Sequence, residues 1–254
     1  MGSLPIIRAM TYDLFRRDAY LRECDAVITS VSDAGIVLDR TVFYPLGGGQ
    51  AGDAGWLRLS DGREIVIADT RKGKDAQGQP TAEIVHVPAP GQEALIATLA
   101  SESTVVARID WERRHRLMRF HTTTHLLCHL VPQLVNGCSI TPDYARLDFH
   151  MTEPLDKDAL TAGIARLVAA AHPVTVGEIT DAELDANPGL VKSMSVSPPR
   201  GLGTVRTIRV GSTDLIDLQP CGGTHVANTS EIGAVVVTKI EKKSATTRRI
   251  RSEE

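Results

Sequence analysis

The sequence predicts an α+β protein in two parts: a small, barrel-like β-rich subdomain over 1–107, then an α+β domain with a mostly antiparallel sheet over 108–254. Three observations carry this. The first hundred residues hold only short β-branched or aromatic runs, punctuated by turn residues. From Arg108 the pattern changes to a long helical stretch. Strand-like runs then return after the helices, so helices lie beside antiparallel strands instead of alternating with parallel ones.

In chain order, CDAVITSV, GIVLDRTVFY, GWLRLS, EIVIADT and AEIVHVP are strands, and SDAG, SDGR and KGKDAQGQP are the turns between them. A curled or closed sheet buries one face of such a set. PAPGQEALIATLASES is a connector with a short helix. WERRHRLMRFHTTTHLLCHLVPQLV is one long helix that Pro132 ends, because proline lacks the N–H and clashes with the preceding turn. ARLDFHM is a strand, and DKDALTAGIARLVAAAH has apolar residues at helical spacing. VTVGEIT, TVRTIRV and DLIDL are strands, and EIGAVVVTKIEKK with TTRRIRS closes the chain as a hairpin.

Composition excludes several classes. With 254 residues, 42% hydrophobic, 23% charged and a net charge of −3, the chain is an ordinary globular one and not a basic nucleic-acid coat. Any contact with a polyanion has to use a local patch. No apolar run reaches the ~20 residues of a membrane span, and MGSLPIIRAM is too short and weakly apolar for a signal peptide. Cys24, Cys128 and Cys138 show no disulfide spacing, which suits a reducing cytoplasm.

Two short motifs carry metal chemistry. HTTTH places His121 and His125 four apart, on one helical face about a turn from each other. CGGTH offers Cys221 and His225 around a Gly-Gly turn. Alone, each motif is compatible with packed or surface side chains. Together they make three imidazoles and a thiolate, a borderline-soft tetrahedral set that favours Zn²⁺ over Mg²⁺ or Ca²⁺. His129 extends the series, but eight residues turn the helical face by roughly 80°, which leaves it a supporting or packing role. No Glu follows His121, so the helix lacks the general base of HExxH peptidases. TVFYPLGGGQAGDAG contains Gly47, Gly48 and Gly49, which permit positive φ and close backbone approach. Without GKS or GKT it is no phosphate loop, and no nucleotide cofactor is expected. Gln50 and Asp53 are expected to hold this loop through side-chain hydrogen bonds.

TVFYPLGGGQAGDAG, RFHTTTHLL and DLQPCGGTHVANTSEIGAVVVTKIE, in this order, resemble the editing region of alanyl-tRNA synthetases and the freestanding AlaX-type editing proteins. The resemblance runs from about Thr41 to Arg249. It departs at Cys128, where the family often has a further histidine, and at ATTRRI, which replaces a Gly-containing turn. No aminoacylation domain is seen in the chain, so the resemblance is to the longer AlaX form. It implies ATP-independent hydrolysis, in trans, of the ester in tRNA(Ala) mischarged with serine or glycine. It also implies that Thr41 reads the serine hydroxyl, although a β-branched residue on a packed strand is an equal reading of that position. The zinc could acidify a water or anchor the substrate, and four protein ligands close the sphere in the manner of structural zinc. A catalytically inactive, zinc-stabilised RNA-binding module is the competing reading, supported by Pro142 and by NGCSITPDYARLDF, which is compressed relative to the synthetases. Phosphate contacts are expected from Arg113, Arg116 and Arg119 at the head of the zinc helix, and from Arg248 and Arg249 in the terminal hairpin.

Overall fold

The computed structural model describes residues 10–198, 201 and 203–254; the first nine residues, from which the absence of a signal peptide is read, lie outside the described residues. The chain divides into two compact units, Met1–Gly47 with Gly52–Arg114, and Gly48–Ala51 with His115–Glu254. The division falls within the first turn of the long helix, not before it.

The first unit contains β1 (Tyr12–Asp13), β2 (Glu23–Ser32), β3 (Gly35–Leu38), β4 (Arg40–Thr41), β5 (Gly55–Leu59), β6 (Glu64–Lys74), β7 (Pro80–Pro88), a one-turn helix α1 (Glu93–Ile96) and β8 (Thr104–Ile109). Six of the strands close in the order β2-β3-β7-β6-β5-β8, every pair antiparallel. Closure leaves no edge of this sheet unpaired. The two-residue alternation of the sequence sets which side chains fill it: Ile65 and Ile67 are fully buried while Val66 between them is 42% exposed. β6 and β7 run further than the sequence suggests, into KGKDAQGQP. There Asp75 Oδ1 accepts the N–H groups of Gln77 and Gln79 and so makes the turn itself.

A buried ion pair pins the segment after β4. Asp53 and Arg114 have side chains with essentially no exposure. Arg114 Nε donates to both Asp53 oxygens at 3.0 Å, and its Nη groups donate to the carbonyls of Ala19 and Val42 at 2.9 and 2.7 Å. Asp53 Oδ2 accepts the Tyr44 N–H at 2.6 Å. Asp53 thus ties Tyr44 to Arg114, and the arginine neutralises the buried charge.

The helix α2 (Trp111–Leu130) ends just before Pro132. The second unit continues with β9 (Val135–Ile140), β10 (Ala145–His150), α3 (Lys157–Ala169), β11 (Val174–Thr180), α4 (Asp181–Ala186), β12 (Thr204–Val210), β13 (Asp217–Pro220), β14 (Val236–Ser244) and β15 (Thr247–Glu253). They form a four-stranded sheet β14-β15-β10-β9 and a three-stranded sheet β11-β12-β13, all antiparallel. Two expectations change. DLIDL yields a strand only from Asp217, and NGCSI, which carries no strand signal, is β9. No helix among the described residues is long and apolar enough to cross a membrane.

From Leu117 to Cys128, α2 is buried at every position but Arg119. Its three consecutive threonines are therefore inside the protein, and each hydroxyl returns to its own helix: Thr122 to Met118 O at 2.9 Å, Thr123 to Arg119 O at 2.9 Å and Thr124 to His121 O at 2.7 Å. A polar stretch is thereby buried without leaving hydroxyls unpaired.

Candidate metal centre

The second unit brings His121, His125, Cys221 and His225 together. Their donor atoms all lie within 4.8 Å of one another. Helical spacing supplies the first two. The other two follow directly from β13, whose last residue, Pro220, precedes Cys221. The turn between Cys221 and His225 requires glycine at its centre. A Cβ on Gly223 would run into the His121 imidazole and sit 2.9 Å from Gln50 Oε1.

The distances suit a small tetrahedral ion. Bonds of ~2.0–2.3 Å require donor atoms roughly 3.3–3.8 Å apart; Cys221 Sγ lies 3.5 Å from His121 Nε2 and 3.3 Å from His225 Nε2. The imidazoles are committed to this use by what holds their other nitrogens. His121 Nδ1–H donates to Gln50 Oε1 at 2.7 Å, His125 Nδ1–H to Asp217 Oδ2 at 2.7 Å, and His225 Nδ1–H to Thr122 Oγ1 at 3.1 Å. The Thr122 hydroxyl gives its own proton to Met118 O, so toward His225 it can only accept. In all three rings the Nδ1 proton is fixed, and the Nε2 lone pair is left for a cation.

The four donors are also coupled electrostatically. Burial pushes the Cys221 thiol up, but the surrounding histidines, His121 foremost, outweigh it and hold the thiol well below its ordinary value. That shift favours the thiolate, the form that ligates. Burial, then its neighbour His121, holds His225 well below the usual histidine range, which favours the neutral ring. Burial depresses His125, but the Asp217 hydrogen bond, with Cys221, raises it to about 9, so a cation taken up at Nε2 displaces a proton there. Burial raises Asp217, while His125 and Lys192 bring it to about 2. The donor set and the three orienting oxygens fit a borderline-soft divalent ion.

Gln50 is the chief revision. It is fully buried, and instead of bracing the glycine loop it joins the metal cluster. Oε1 accepts from His121 and, at 3.1 Å, from the Thr224 N–H, while Nε2 donates to Thr224 Oγ1 at 2.9 Å. Those contacts fix which way its amide faces. Gly48 and Gly49, at φ +59° and +86°, provide the left-handed turn just before it, and Gly47 precedes them. Thr122 and Asp217 were not identified from the sequence as orienting groups, though both lie inside the ligand-bearing segments. His129 has neither expected role: it is exposed.

In the first unit Thr41 has no exposed surface. His86 Nδ1–H donates to Ile36 O at 3.0 Å, so His86 Nε2 accepts the Thr41 hydroxyl proton at 2.8 Å. Thr41 Oγ1 also accepts the Phe43 N–H at 3.0 Å. The arginines expected to meet phosphate all have internal partners. Arg113 donates to Gly52 O at 3.2 Å. Arg119 donates to Ile232 O at 2.7 Å and pairs with Glu254 at 3.0 Å. Arg248 is buried against the Thr152 and Ser244 carbonyls, and Arg249 grips both Asp148 oxygens at 2.7 and 2.8 Å. Arg116, with its side chain 53% exposed, has among the described residues a 3.9 Å approach to Glu254.

The family model described as the threonyl and alanyl tRNA synthetase second additional domain matches residues 205–251, which include Cys221 and His225. The chain is 35% identical over 241 residues to an alanine–tRNA ligase of Metallosphaera sedula, covering 91% of this chain and 25% of the ligase. It is 30% identical over 252 residues to an alanyl-tRNA editing protein AlaX-M of Saccharolobus solfataricus, and 32% identical over 250 residues to that of Methanosarcina acetivorans, in each case covering 95% of this chain and 98% of the relative. It thus spans a quarter of the ligase and nearly the full length of the editing proteins.

Proposed function

Because the chain belongs to the family of AlaX-type alanyl-tRNA editing proteins, we propose that it is a zinc-dependent deacylase that hydrolyses tRNA(Ala) mischarged with serine or glycine, acting in trans and without ATP. The observation that carries this is the four-residue cluster whose three imidazoles each have Nδ1 tied to an oxygen. Cys221 and the three histidines would hold the ion. When bound, zinc supplies Lewis acidity, either to acidify an attacking water or to anchor the substrate's α-amino group. The protein's own part is orientation. Gln50, Asp217 and Thr122 keep the Nδ1 protons in place, so that no imidazole has to turn or change tautomer during the reaction. The substrate is an ester, already activated, so positioning and electrostatics carry most of the catalytic load.

Thr41 is our proposal for the reader of the serine hydroxyl. Its own proton is given to His86, so toward a substrate its oxygen can only accept, and the serine hydroxyl is a donor. Phosphate contact is proposed from Arg113, Arg116, Arg119, Arg248 and Arg249, with Arg116 the member whose charge is least used internally. The cytoplasm, where charged tRNA circulates, is the compartment this reading requires; all four cysteines are free of disulfides.

One observation favours a second reading. Four protein ligands fill a tetrahedral zinc, as in structural sites, which suits a zinc-stabilised RNA-binding module without catalysis. Incubating the purified protein with Ser-, Gly- and Ala-tRNA(Ala) and following ester loss separates the two. The deacylase removes serine or glycine and spares alanine. Equal loss of all three would overturn proofreading, and retained zinc without any ester loss would establish the module.

A further inference from the structure

The group that orients His125 is itself held. Asp217 is a carboxylate whose side chain has no exposed surface, and it bridges two directions. Oδ2 accepts from His125 Nδ1 at 2.7 Å and from Gln219 Nε2 at 2.8 Å. Oδ1 accepts from the ammonium of Lys192 in a direct ion pair. That lysine is fixed in the chain. Its carbonyl accepts the Val135 N–H at 2.8 Å, and the Met194 N–H returns to Val135 O at 2.8 Å. Residues 192–194 thereby form a bridge onto the start of β9 at Ser193. The side chain of Lys192 is 24% exposed, so the ammonium keeps some access to water while Asp217 has none.

We propose that Lys192 is a positioning residue of the metal centre, acting through Asp217 on His125; this rests on the metal reading above. A carboxylate held through one oxygen can turn about its Cβ–Cγ bond, and terminal torsions of this type are broad. Anchoring the second oxygen to a different element removes that freedom and keeps Oδ2 facing the His125 N–H. The lysine also offsets a buried negative charge that a neutral amide and one imidazole N–H would otherwise have to compensate alone. Without it, Asp217 is a looser acceptor and His125 a less rigid ligand. A surface ion pair with no bearing on the metal would alter folding only.

The test uses the full chain loaded with zinc and measures how fast an excess of a colorimetric chelator takes the metal. Losing an orienting partner costs about 10–100-fold in metal affinity, so D217N should release zinc that much faster than the wild type. K192M, which keeps the apolar stem, should release it about 10-fold faster, and K192R, which keeps charge and donors, should stay within about twofold of wild type. Because Lys192 acts through Asp217, adding K192M to D217N should change nothing further. Circular dichroism of each variant monitors folding, and K192Q carries the same comparison if K192M does not fold. Unchanged release from K192M, or effects of K192M and D217N that multiply, would overturn the inference. A wild-type protein that retains no zinc would overturn the metal reading and this inference with it, a result distinct from either of those.

Discussion

At the scale of single residues, ligands and their supports differ in how they can be found. Histidine and cysteine at ligand spacing are recognisable because few other roles demand those types in that pattern, and the four that HTTTH and CGGTH offer do converge. Their orienting oxygens are not recognisable, because an amide, a carboxylate and a hydroxyl all serve and may lie anywhere in the chain: Gln50, Asp217 and Thr122 have nothing in common but an acceptor. Gln50 gives the sharpest prediction here. Gln50→Ala should weaken zinc binding about 10–100-fold in a chelator competition, while Gln50→Glu, which keeps an acceptor for His121, should retain most of it. Equal losses would mean that the residue fills space and does not orient. Thr41→Val tests selectivity. Removing a hydroxyl that reads serine should cost about 1–3 kcal/mol of discrimination, seen as slower hydrolysis of Ser-tRNA(Ala) with Gly-tRNA(Ala) little changed. Because the same hydroxyl ties Phe43 to His86, parallel losses on both substrates would assign it to the fold.

At the scale of elements, the alternating strands of the first unit and the long helix were legible, since periodicity follows directly from which face is buried. β9 was not. Asn136 and Gly137 have poor strand propensity, and the segment becomes a strand because β10 pairs with it from Ala145 to Phe149. The strands of the barrel also carry a titratable group. His86, on β7, is fully buried, and burial, only partly opposed by its bond to Ile36, lowers it to about 4. The native form therefore stays neutral where the unfolded chain, near 6.5, takes up a proton. Its contribution to stability is complete above pH 6.5 and is lost as pH falls toward 4, by about 3 kcal/mol in all. Denaturant midpoints should fall across this range more steeply for the wild type than for His86→Gln, which cannot titrate. Parallel slopes would show that His86 is protonated in the native state.

At the scale of the whole molecule, a net charge of −3 means that a polyanion must be held locally against a mildly repulsive background. Each phosphate neutralised adds about 0.7–0.9 to the slope of log affinity against log salt. Arg116→Ala should lower both tRNA affinity and that slope by about one phosphate's worth, with zinc content unchanged, as followed by filter binding at several salt concentrations. If affinity and slope both stayed at the wild-type level, Arg116 would be a solvated surface charge. The exchange of Gly48–Ala51 into the second unit also bears on how this gene can be cut. A fragment beginning at His115 would encode all four ligands yet omit the amide that keeps His121 in register. The metal centre is not a contiguous cassette, and any split or recombination that parts the glycine-rich loop from the downstream region divides it.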